Sequence, residues 1–188
     1  MGIVLKQSFR NTLIIYLAFL IGGINTIIFY PRILGSQYYG LVTFLLSSTN
    51  VIMPLTALGV HYTIIKFYSS YQTKIEKDKF LSSVIFLPIF VALPLGFFWD
   101  YVHDFIMMNV SEKNQKIENY TFSIYIITIC CAYFELFYSW TKVQLNTFFG
   151  NLLKEVWNRV AVMSLLIAVF MNWITKVEFI SYLTGAYI

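Results

Sequence analysis

The residues of this 188-residue chain that could do chemistry are few, and most stand where an apolar run begins or ends. Glu135 is the exception, the only formally charged residue of Tyr120–Thr141. It lies about six residues from the end of that run, roughly 9 Å inside by helical rise. A carboxylate there invites a proton or a cation. It equally invites a basic partner at the rim, such as Arg10 or Arg159. Arg10 and Lys66 stand where the first and second runs meet one face, and Arg32 where the first meets the other. A planar guanidinium suits a phosphate, while a cation at a helix end also serves as a snorkelling anchor. Asp100, His103 and Asp104, at i, i+3 and i+4, share a helix face, but one histidine with two carboxylates in a polar connection reads first as solvated surface. Cys130 and Cys131 are adjacent within an apolar run and read as packing residues. GxxxxGK[ST], GxSxG and HExxH do not occur. Enzymatic chemistry is therefore not expected, and no metal or cofactor is implied.

The elements that must position these residues follow from composition. Apolar residues make up 59% and charged residues 12%, against about 45–50% and 25% in soluble domains. With a mean hydropathy of +0.70, the exterior cannot all face water, and lipid is the expected solvent. The pattern predicts an all-α, polytopic transmembrane bundle with five full spans at about 12–30, 41–65, 80–99, 120–141 and 156–174, and a sixth begun at 179–188. The first apolar run is too long for a cleaved signal peptide. Gly22 and Gly23 within it read equally as close packing or as a flexible break beside a path. Pro54 predicts a kink near Val51, with Ser47, Ser48, Thr49 and Asn50 placed to satisfy the freed carbonyls or to face a hydrated cavity. Lys142–Arg159 reads as an amphipathic piece at headgroup level. One side collects nine Lys and Arg and the other four, which places the N-terminus in the cytoplasm. The formal charge of +4 suits anionic lipid rather than nucleic acid.

Several short motifs recur in a familiar order. They are Lys6-Gln7-Ser8 with Asn11-Thr12, Gly22-Gly23-Ile24-Asn25-Thr26, Tyr30-Pro31-Arg32-Ile33-Leu34-Gly35, Tyr38-Tyr39-Gly40, Leu58-Gly59 and Ile65-Lys66-Phe67-Tyr68. Together they resemble the opening of the bacterial polysaccharide-export flippases, the oligosaccharide-lipid branch of the multidrug/oligosaccharidyl-lipid/polysaccharide exporter superfamily. The resemblance implies two six-helix lobes around a central cavity, with residues 1–188 forming nearly the whole first lobe. It implies an inner-membrane protein that moves undecaprenyl-pyrophosphate-linked O-antigen, capsule or exopolysaccharide units to the periplasmic leaflet by alternating access. Its partners would be membrane lipids and glycan polymerase or glycosyltransferases. Arg10, Asn25, Arg32 and Lys66 are the candidate substrate contacts, and Glu135 the candidate for ion coupling. Peptidoglycan-precursor flippases of the same fold carry arginines in mid-first helix, where this chain has Gly22, Gly23, Ile24 and Asn25. That departure favours a repeat-unit exporter and leaves the phosphate ligands open. The rivals are a cation-coupled multidrug exporter and a non-transporting subunit of a glycan-assembly complex.

Overall fold

The structure, a computed structural model, describes residues 3–110, 115–144 and 147–188. It is helical, with no strand among the described residues. Ser8–Thr56, Lys74–Phe97 and Lys116–Val143 are each long and apolar enough to cross a membrane, and the chain is a helical membrane protein. Its surface agrees. Phe9, Leu13, Tyr16, Leu17, Phe19 and Leu20 point outward from the first helix while Ala18 and Asn25 are buried. Water would reverse that arrangement.

The first of two compact units comprises Met1–Gly40 and Asn146–Tyr187. Helix α1 (Ile3–Ile24) continues as wide, π-type turns over Asn25–Leu34. Pro31 lies in those turns; it has no N–H and its ring would strike the carbonyl one α-turn back, and widening the helix relieves the clash. Gly35 then ends the helix at φ 74°, ψ 172°, a conformation essentially reserved for glycine, and α2 (Gly35–Thr56) begins. Lys176 donates from Nζ to the Leu34 carbonyl at 3.1 Å, satisfying a group left over at the break.

In the same unit α8 (Thr147–Asn151), wide turns over Leu152–Trp157 and α9 (Asn158–Phe170) form one uninterrupted helical run. The piece expected over 142–159 is thus, from Thr147 onward, continuous in helix with the expected fifth span at 156–174. The run closes with Asn172 at φ 58°. Asn172 N–H donates to the Val169 carbonyl and Trp173 N–H to that of Ala168, the paired bonds of a Schellman cap. Helix α10 (Lys176–Ala186) starts on a capping box between Thr175 and Glu178 and packs along α9.

The second unit comprises Leu41–Leu145 and Ile188. Its part of α2 runs unbroken through Pro54 to Thr56. The interruption in the expected second span falls instead at Leu58 (φ 48°) and Gly59 (φ 66°), before α3 (Val60–Phe67). The Thr49 hydroxyl is buried without a partner, so it does not cap the carbonyls near Pro54; Thr56 donates to Ile52 at 3.3 Å. Val60, Ile64, Leu81, Val84 and Leu136 form the core, joining α3, α4 (Lys74–Ile85) and α7 (Thr121–Val143). Helix α5 (Leu87–Phe97) carries Pro88 at its start and Pro94 inside. The Tyr133 hydroxyl donates to the Ile85 carbonyl at 3.2 Å and Tyr125 to that of Ala92 at 2.9 Å, supplying donors beside the proline turns. Gly96 leaves room for Tyr125, whose hydroxyl would collide with any Cβ there. Helix α6 (Trp99–Val110) occupies much of the expected polar connection; Glu112 and Lys113, counted among the loop charges, lie outside the described residues.

Candidate functional site

The inner stripe of α1 is Asn11, Ile14, Ala18, Gly22 and Asn25, spaced by three, four, four and three residues. That spacing keeps all five on one helix face. Two of them are the smallest residues available, and Asn25 is only 3% exposed. Arg10 and Arg32 each lie eleven positions from Ile21, about 16 Å by helical rise. The stretch between Gly22 and Asn25 therefore lies near the middle of the charge-free run between the two arginines.

Into this notch the 147–170 helix inserts Arg159. Its Nη1 donates to the Ala18 carbonyl at 2.6 Å, and Nη2 lies 3.6 Å from Glu155 Oε2, one turn earlier. The Asn25 amide donates from Nδ2 to the Arg159 carbonyl at 2.9 Å. A Cβ on Gly22 would stand 2.7 Å from Nη1 and 3.3 Å from Cδ of Arg159. A Cβ there would push the end of the Arg159 side chain aside, so glycine lets the guanidinium lie against the α1 backbone. Gly23, by contrast, faces open space. Of the glycine pair, Gly22 supports the close-packing reading, with an arginine as the packed group.

The site is cationic, anchored and only partly shielded. Arg159 is 37% exposed and Glu155 29%. A charge at the bilayer centre costs about 2.5–3.5 kcal/mol on insertion scales, so this open side is suited to water, protein or a polar ligand rather than to acyl chains. A guanidinium has five N–H donors, and the two contacts above leave others available. The Asn25 Oδ1 is buried without a partner. The arrangement can hold an anion at Arg159, with Glu155 as the internal counter-ion when none is present.

The residues expected from sequence are spread along the molecule. Asn25 belongs to the Arg159 notch. Arg10 lies 5.4 Å from the Phe148 ring centroid, and its neighbour Asn11 donates to Thr147 Oγ1 at 3.1 Å, so the two helix starts meet at that end. Arg32 lies at the other end, lining a cleft with Lys176. Lys66, exposed on α3, lies 5.4 Å from its neighbouring Phe67 ring. Glu135 is half-buried on α7. Arg159, considered as its partner, is paired with Glu155 instead. Asp100 and Asp104 are exposed on α6, while His103 Nδ1 lies 2.8 Å from Thr121 Oγ1. No metal-ligand cluster occurs among the described residues. Cys130 and Cys131 are partly buried thiols.

From the sequence Arg159 stands out only as a rim partner for Glu135, and Glu155 does not stand out at all. Two features of the segment allow a continuous helix with an internally paired charge. No proline interrupts Thr147–Phe170, and an i, i+4 Glu–Arg pair can neutralise itself on one helix. Comparison with protein-family models, with curated proteins and with solved structures returned no match to this chain.

Proposed function

We propose that the chain is a membrane translocator of lipid-linked oligosaccharide phosphates, the first lobe of a flippase that carries undecaprenyl-pyrophosphate-linked repeat units to the outer leaflet of a bacterial inner membrane. The observation that carries this reading is the partly open Arg159 guanidinium held on Ala18 and beside Gly22, in the middle of the charge-free run of α1. A pyrophosphate cannot cross hydrocarbon unaided, and a cation half-way is the group its passage needs. The resemblance left the phosphate ligand open because α1 has no arginine at its centre; here a neighbouring helix brings one to that height. Glu155 balances the charge when the site is empty and yields Arg159 to the incoming anion. Arg10 and Arg32 mark the two rims of the same helix.

The proposed five spans draw support from two features of the backbone. The 49 helical residues of Ser8–Thr56 would reach about 74 Å as one straight rod, more than twice the hydrocarbon thickness, and the Gly35 break would divide them into two crossings. The pairs Asn11–Thr147, Asn25–Arg159 and Leu34–Lys176 also show α1 and the 147–170 helix running parallel. In a bilayer, parallel helices are separated by an odd number of crossings, and α2–α3, α4–α5 and α7 provide three.

The test is made in cells that carry the gene. Deletion is expected to abolish surface glycan and to accumulate lipid-linked repeat units inside. Complementation with Arg159→Ala should fail at normal protein level, and Arg159→Lys should restore part of the export. Normal surface glycan in the deletion strain would overturn the proposal. Export that survives Arg159→Ala but stops with Glu135→Gln would favour the cation-coupled exporter instead.

A further inference from the structure

We infer that the cleft at the Arg32 end of the first unit binds a phosphate ester. Arg32 and Lys176 form its cationic walls, and Trp173 covers the carbon skeleton beside the phosphate. The cleft has a volume of about 380 Å³ and is lined in part by Arg32, Asn172, Trp173, Thr175, Lys176 and Glu178. That is within the ~300–1,000 Å³ of small-ligand sites and several times what one phosphate fills.

Its charges are not equally available. The Glu178 carboxylate is turned to the backbone through Oε2, which accepts from Thr175 N–H at 2.7 Å and from its hydroxyl at 2.9 Å, so the cleft carries two cations against one anion. This capping box also satisfies the start of α10, so the helix N-terminus is not what recognises the anion. Lys176 gives one donor to Leu34 and keeps two. Among the described residues nothing pairs with Arg32, so its fork is open toward the cleft. Trp173 is 78% exposed, and the Schellman turn that ends α9 fixes its backbone there. A large indole left outside a fold, next to two cations about 16 Å from the span centre by helical rise, suits the boundary between acyl chains and phosphates. The stacked rings of Tyr30 and Tyr39, with centroids 5.2 Å apart, belong to the same end of the unit. The inference rests on the cleft alone and does not depend on translocation.

A phosphate ester at this depth comes either from a lipid headgroup or from a soluble metabolite. Native mass spectrometry of the purified full chain separates the two, using phosphatidylglycerol, glycerol 3-phosphate and uncharged diacylglycerol as probes. Phosphatidylglycerol is expected to bind, and Arg32→Gln to weaken it about tenfold, the loss expected for a charge-assisted hydrogen bond. Arg32→Lys should recover part of the loss. Arg32 is exposed without a partner among the described residues, so the glutamine variant should melt like the parent. Trp173→Ala gives an independent measure and should weaken the lipid more than glycerol 3-phosphate. Comparable binding of glycerol 3-phosphate identifies a soluble ester as the ligand. Equal binding of diacylglycerol and phosphatidylglycerol, or binding unchanged in both variants, overturns the inference whether or not the chain exports glycan.

Discussion

At the scale of single residues, the Arg159 notch depends on what α1 lacks. Ala18 and Gly22 leave the helix backbone bare, and the guanidinium occupies that space. Gly22→Ala should therefore displace Arg159 and impair export, although alanine is the better helix former by about 1 kcal/mol. Gly23→Ala meets nothing within 4 Å and should raise the melting temperature in detergent through the same propensity. If the two substitutions shift stability and export alike, the guanidinium does not sit where the structure places it. Asn25→Leu makes a different point. It removes the bond to the Arg159 carbonyl but also the unpartnered Oδ1, so the two effects on stability oppose each other and the net change should stay within about 1 kcal/mol.

At the scale of elements, the fold is punctuated by positive-φ residues, and these were only half legible in the sequence. Gly35, between Pro31–Arg32 and the next apolar run, is a breaker that a reader can find. Asn172, of a type that tolerates the left-handed region, is a weaker signal, and Leu58 is none, because nothing in a leucine announces a left-handed backbone. Helix α2 runs on through Pro54 and ends just before Leu58 and Gly59. The helix that holds Arg159 begins at Thr147, and the bond from Arg159 to the Ala18 carbonyl could not be read from the chain. Apolar spans could be read from the chain; the depth of a charge could not, since it depends on which helix faces it. Gly35→Ala tests the break. No side chain crowds the site, so the cost is backbone strain alone, on the order of 1–3 kcal/mol, read as a lower denaturation midpoint. The α10 cap is a pH-dependent element. Hydrogen bonds from the Thr175 backbone and then its hydroxyl hold the Glu178 carboxyl below its ordinary value. A lowered folded-state value stabilises above the unfolded one, and that contribution is lost as pH falls through the lowered value. The protection of amides at the start of α10 against exchange, measured relative to the free-chain rate at each pH, should therefore be high at neutral pH and fall as the pH drops below the ordinary carboxylate value of 4.5, and Glu178→Gln should flatten that dependence.

At the scale of the whole molecule, the question is how many times the chain crosses the bilayer, and one pair of labels decides it. Gln72 lies between α3 and α4, and Met171 just after α9; both are exposed. If only Ser8–Thr56, Lys74–Phe97 and Lys116–Val143 cross, two crossings separate Gln72 from Met171, and both face the same side. If Thr147–Phe170 crosses as well, three separate them, and they face opposite sides. The parallel course of α1 and the 147–170 helix favours the second arrangement, and so does the cost of leaving α9 in water with Phe170 and Ile167 exposed. With Cys130 and Cys131 replaced by serine, an impermeant maleimide applied to spheroplasts should label Met171→Cys and not Gln72→Cys. The charge bias favours the cytoplasmic side for the basic loop of Lys66, Lys74, Lys77 and Lys79, and with it for Gln72. Labelling of both positions from one side would remove the fifth crossing and bring Arg159 out of the bilayer. Labelling of Gln72→Cys alone would keep the crossing but invert the protein, so that Arg32 and the Lys176 cleft would face the cytoplasm.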